Sequence, residues 1–125
     1  MNIASAMFLL RGGIAFSFLY VAVASLQNPA NWVGFFPAWA FKVASEETTL
    51  FLFSGIEIGL ALWLISGKKG VYAGSIAAVL LLGITVLNLG ALDIVFRDVS
   101  IAIAAIALVQ LELYANTNRG NKREN

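Results

Sequence analysis

The sequence predicts an all-α membrane protein: a four-transmembrane-helix bundle with an interfacial aromatic segment between its first and second helices. Three observations predict it. Of the 125 residues, 60% are hydrophobic and 12% charged, with a mean hydropathy of +0.85; a soluble domain is about 45–50% apolar and about 25% charged. The apolar residues gather into four stretches, each near the 20 residues that a roughly 30 Å hydrocarbon core requires. The polar residues gather between and after those stretches. A soluble chain this small buries too little of its area to hide so much apolar surface. In lipid each segment must satisfy its own backbone, which makes helix the form of every span.

The first span reads Ile3 to about Leu26. A signal-peptide reading would make Arg11 the charged region and Ala22-Val23-Ala24 a cleavage motif. Met7, Phe8, Leu9 and Leu10 are already apolar ahead of Arg11, which favours a span. The second span runs from about Thr48 to Ser66 and the third from about Val71 to Leu89. The fourth starts near Leu92 or Ile94 and ends near Tyr114. Residues 67–70 (Gly-Lys-Lys-Gly) predict a tight turn, and residues near 90–93 (Gly-Ala-Leu-Asp) another. Residues 1–115 thus form the four-helix domain. The tail, residues 116–125, is polar and is expected to be disordered.

The first connection is longer, from about Gln27 to Glu47, and rich in aromatic residues. Trp32, Phe35, Phe36 and Trp39 suit the headgroup zone, where amphipathic rings are most favourable. They read either as a belt anchor or as a lid over a cavity between the helices. Lys68, Lys69, Arg119, Lys122 and Arg123 fall on one side of the bundle, and basic residues favour the cytoplasm. Both termini are then cytoplasmic in a multi-pass plasma (inner) membrane protein.

Charge and composition exclude several functions. A net charge of +1 gives no footprint for nucleic acid. The absence of cysteine and histidine removes thiolate catalysis, disulfide exchange and the commonest metal and haem ligands. No metal site and no catalytic nucleophile–base pair is visible, so the chain is expected to have no enzymatic activity of its own.

The informative residues are the charges inside the spans, because an intramembrane charge is costly unless paired or hydrated. These are Arg11, Glu57, Arg97 and Asp98. Counting about 1.5 Å per residue from the cytoplasmic ends brings Arg11 and Glu57 to similar depth. An Arg11–Glu57 ion pair is therefore expected, with Gln110 and Glu112 as competitors for Arg11. Asp98 is expected to face inward toward Tyr20 or Asn88. Adjacent residues differ by about 100° around a helix, so Arg97 cannot point the same way; it either faces the interior from another side or snorkels to the outer headgroups. These groups read either as ion pairs that fix helix register or as a polar pocket for a quinone or lipid. Gly55 and Gly59 on the second span, and Gly70, Gly74 and Ala78 on the third, predict close helix packing within the chain or in a homodimer. Ala102, Ala105 and Val109 continue the face that starts at Asp98.

Four segments together resemble the DoxX-like family of small four-helix membrane proteins. They are RGGIAFSFLYVAVASLQNP (Arg11 to Pro29), NWVGFFPAW (Asn31 to Trp39), GIEIGLALWLISG (Gly55 to Gly67) and FRDVSIAIAAIAL (Phe96 to Leu108). The resemblance covers about residues 8–110. It implies a prokaryotic inner-membrane protein that acts as an accessory or as a quinone- or lipid-binding component of a membrane redox complex. A possible membrane protein partner follows from the same resemblance. The histidine and the glycine-rich C-terminal features of some branches are missing here, so thiosulfate oxidation is not carried over. The alternatives are a small proton-coupled transporter, using Glu57 to exchange a proton for substrate, and a structural membrane scaffold.

Overall fold

The computed structural model describes residues 2–124, and every regular element among them is helical. Helix α1 spans Ile3–Gln27, a short α2 spans Ala40–Val43, α3 spans Glu46–Ser66, α4 spans Gly70–Leu87 and α5 spans Leu92–Glu124. Three of these, α1, α3 and α4, are long and apolar enough to cross a membrane. Their outward residues are large and apolar: Phe16 on α1, Phe51 on α3 and Val79 on α4 are each about two-thirds exposed or more. Such a surface suits lipid, where outward side chains need no polar covering.

Local chemistry sets the helix ends. The Asn2 side chain caps α1 by accepting from the Ser5 N–H at 2.9 Å. Ser45 does the same for α3 through the Thr48 N–H at 3.2 Å, and Glu46 and Glu47 add negative charge to that first turn. Gly67 ends α3 in the left-handed conformation (φ +74°), and Lys69 follows at φ +50°. The Trp63 indole N–H donates to the Lys68 carbonyl at 2.8 Å and closes the turn. This is the tight connection that Gly-Lys-Lys-Gly predicts. The second expected turn lies one residue earlier than its sequence reading, as a 3-10 turn over Leu89–Ala91.

Helix α1 packs along α3 and also against α5, and α5 packs along α4. The α4–α5 seam is built from small residues. A Cβ on Gly74 would come within 2.8 Å of Val109 Cγ2 and 3.4 Å of the Ala105 carbonyl, and a Cβ on Gly70 would collide with the Glu112 carboxyl. Ala73, Ala77, Ala102 and Ala105 are fully buried between them. The expected small-residue face on the third span is thus used inside the chain. Gly55 and Gly59 are not: both are exposed, and a Cβ on either would meet nothing within 4 Å.

The polar tail, expected to be disordered, is drawn as part of α5 as far as Glu124. Residues 116–124 continue α5 as exposed helix. Extending an existing helix adds a hydrogen bond per residue without a new nucleation step, which favours continuation of α5 into this polar stretch. Asn125 lies outside the described residues.

Candidate functional site

Helix register decides which polar groups meet. On the α1–α3 seam the Ser25 and Ser54 hydroxyls are 2.8 Å apart, and the Arg11 guanidinium lies against Gly67. These two contacts define an antiparallel register that puts Glu57 opposite Val21 and Ala22, not opposite Arg11. The expected Arg11–Glu57 pair is therefore corrected. Arg11 Nη1 donates to Glu112 Oε1 at 3.0 Å, the one salt bridge among the described residues. The depth count misplaced Arg11 because it started both helices at a common level. In fact the first turns of α1 extend past the α3–α4 turn, so Arg11 sits at the end of the bundle.

Glu57, near the midpoint of α3, is left without a cation. It is 2% exposed, and its Oε2 has no hydrogen-bond partner among the described residues. It borders a cavity of about 370 Å³ between the four long helices. Arg11 and Glu112 contribute nothing to this cavity; they line a separate crevice of about 230 Å³ with Tyr114, Asn118 and Arg119.

The cavity walls are mostly apolar. Helix α1 supplies Phe16, Phe18, Tyr20 and Val21; α3 supplies Leu50, Phe53 and Glu57. Leu81 and Ile84 come from α4, and Val95, Asp98 and Ile101 from α5. Since Arg11 is level with Glu112 on antiparallel helices, Asp98 falls level with Ser25, about one turn from the level of Glu57. Two carboxyl groups thus face one apolar space. Arg97 also reaches the lining, but it is exposed, and its Nε donates to the Ile94 carbonyl at 3.4 Å. Phe16, Tyr20, Ile94 and Arg97 are lining residues that also reach the surface, so the cavity opens to the outside of the bundle beside α1 and α5.

The aromatic connection closes one end. Trp32, Phe35, Phe36 and Pro37 line the cavity, while Trp39 is 64% exposed and lies off it. The segment is fixed on two sides. The Phe36 ring meets the Phe53 ring of α3 edge-on at 5.2 Å between centroids. The Asn88 side chain at the end of α4 donates to the Phe35 carbonyl at 3.0 Å and to the Ile84 carbonyl at 2.8 Å. Asn88, a sequence candidate for ligand contact, is instead a fastening that lies outside the cavity lining.

Of the sequence-selected residues, Glu57, Tyr20, Arg97, Asp98, Trp32, Phe35 and Phe36 therefore share one cavity, and Arg11, Asn88 and Trp39 do not line it. Sequence reasoning missed Phe16, Phe53 and Val95 as walls, and Ser25–Ser54 as the contact that sets the register. Two serines buried in facing spans are the signal that could have revealed that register, since a hydroxyl in lipid seeks a partner.

Comparison with protein-family models, with curated proteins and with solved structures returns no match for this chain.

Proposed function

We propose that this chain is a four-span membrane protein that takes a lipophilic small molecule into the cavity around Glu57. The observation that carries the reading is the Glu57 carboxyl, almost fully buried, with one oxygen unpartnered, beside a mostly apolar space of about 370 Å³. Buried polar atoms in folded proteins are nearly always satisfied, and an exception invites a functional explanation. Pockets of roughly 300–1,000 Å³ with apolar walls and a few polar groups are the usual form of small-molecule sites. In this reading residues 92–114 of α5 form the fourth span. The ends carrying Lys68, Lys69, Arg119, Lys122 and Arg123 face the cytoplasm of a plasma (inner) membrane. The resemblance to DoxX-like proteins supports the same picture, with a quinone or lipid as occupant and a membrane redox complex as setting.

A second reading, proton-coupled transport, gains from one observation. Arg11 is engaged by Glu112 and leaves Glu57 free to alternate between a proton and a substrate.

Native mass spectrometry of the protein in mild detergent, with organic extraction of the same sample, tests the binding reading. A stoichiometric lipophile that is lost in Glu57→Gln is the expected result. A bare protein with an intact bundle, which also fails to bind any added lipophile saturably, would overturn it.

A further inference from the structure

The cavity has a chemical bias that the binding reading alone does not use. Its lining carries two carboxyl groups, Glu57 and Asp98, against a single guanidinium, Arg97. Arg97 sits at the exposed rim and forms no salt bridge with either acid. Ionised against a bound cation, the two acids and Arg97 sum to one negative charge, which that cation neutralises. The serine hydroxyls at this level donate no hydrogen bond to either acid. Ser17 donates to the Gly13 carbonyl, and Ser25 and Ser54 bond each other.

The remaining walls combine aliphatic side chains from the four long helices with aromatic rings, which gather where the connection after α1 meets α1 and α3. Trp32 and Phe35 lie 5.8 Å apart, and Phe36 and Phe53 form an edge-on pair at 5.2 Å. Aromatic faces attract a cation, and more strongly where water is excluded. A metal ion fits this set poorly. Calcium takes six to eight oxygen ligands and magnesium near-octahedral oxygen coordination, and no group of three potential ligating side chains converges among the described residues.

From this geometry we infer that the cavity is a site for a monovalent, lipophilic organic cation, an aryl or alkyl ammonium held between Glu57, Asp98 and the aromatic connection. The inference rests on the binding reading and names its ligand class. The cation supplies the positive partner that Glu57 lacks, its apolar body fills the space between α1, α3 and α5, and Trp32, Phe35 and Phe36 close over it. Entry is from the lipid side, past Tyr20 and Arg97.

The test uses two probes of equal shape. Benzyltrimethylammonium carries a fixed charge, and neopentylbenzene replaces its nitrogen by carbon. Binding of each to the full chain is measured by equilibrium dialysis in detergent, against empty micelles as blank. The expected result is saturable binding of the cation, one per chain, at least about tenfold tighter than the neutral probe. Glu57→Gln should weaken the cation by about tenfold or more and leave the neutral probe nearly unchanged. Asp98→Asn gives the same readout should the Glu57 variant fail to fold. Equal or tighter binding of neopentylbenzene, with the cation insensitive to both variants, overturns the cation inference and leaves the binding reading standing. Failure of both probes to bind above the micelle blank overturns the two together.

Discussion

Arg11 and Glu112, separated by 101 positions in the chain, meet at 3.0 Å beside the α3–α4 turn. Their side chains are 17% and 7% exposed. The pair joins the first helix to the last, and Gly67 and Gly70 make room for it. A Cβ on Gly67 would approach Arg11 Nη1 to 3.1 Å, and one on Gly70 would strike the Glu112 carboxyl. The contact fixes the α1–α5 register at one end of the bundle and so sets which residues face the cavity farther along.

Removing one partner should cost more than removing both. Arg11→Ala leaves the Glu112 carboxylate nearly buried and unpaired. A fully buried pair broken this way loses about 3–5 kcal/mol; the partial exposure of Arg11 reduces the expected loss to about 2–3 kcal/mol. The double variant Arg11→Leu, Glu112→Leu should recover most of it. Unfolding curves in mixed detergent would check this, and a double variant as unstable as Arg11→Ala would show that the pair is worth more than its desolvation.

The glycines divide into two groups with opposite predictions. Gly74→Ala should destabilise by about 1–3 kcal/mol, because the added methyl meets Val109 and the Ala105 carbonyl in a packed seam. Gly55→Ala and Gly59→Ala should leave the isolated chain unchanged or slightly more stable, since their new methyl groups point into open space. Thermal unfolding of the variants in detergent reads both effects. A loss of stability at Gly55 or Gly59 that grows with protein concentration would reveal a homodimer seam on α3.

Asn88 fastens the aromatic connection from below. Asn88→Leu removes the 3.0 Å bond to the Phe35 carbonyl. The expected cost in stability is about 1 kcal/mol. The more telling effect is local: acrylamide should quench tryptophan fluorescence more readily, because Trp32 loses its support while Trp39 is already exposed. Unchanged quenching would mean that the Phe36–Phe53 contact holds the segment alone.

The Ser25–Ser54 bond at 2.8 Å joins α1 to α3. Interhelical hydrogen bonds in a membrane average about 0.6 kcal/mol in double-mutant cycles. A cycle with Ser25→Ala and Ser54→Ala should give a coupling of that order. A coupling near zero would place the register in the surrounding packing instead.

Much of the fold was legible in the sequence, for physical reasons that also mark where legibility stopped. The spans are set by apolar length, and Gly67 by its place after the last apolar turn, so α3 ends where the sequence places its end. Sequence spacing also identified Glu57, Asp98 and Tyr20 as inward or rim residues. The choice among Glu57, Gln110 and Glu112 as partner of Arg11 was not legible, because pairing between helices depends on how far each helix slides along its neighbour. A slide of a few turns exchanged Glu57 for Glu112. Asn88 was misplaced for a similar reason: a side chain at a helix end can turn to a neighbouring loop, and nothing in the spacing says that the loop passes there. The helical tail followed from continuity with α5, which composition does not register.

Glu57 should trade stability for binding. Its carboxyl sits between apolar walls with one oxygen unpartnered, and an unsatisfied buried polar group costs about 1–3 kcal/mol. Glu57→Leu puts an apolar side chain of similar size in the same place. The bundle should become more stable by about 1–2 kcal/mol, while binding of a lipophilic ligand weakens sharply. A residue kept only for architecture would behave in the opposite way, losing stability when replaced. Parallel unfolding and ligand-binding measurements on wild type and Glu57→Leu separate the two. Higher stability with lost binding would mark Glu57 as a group held at energetic cost for its ligand, and lower stability with unchanged binding would return it to the structural framework of α3.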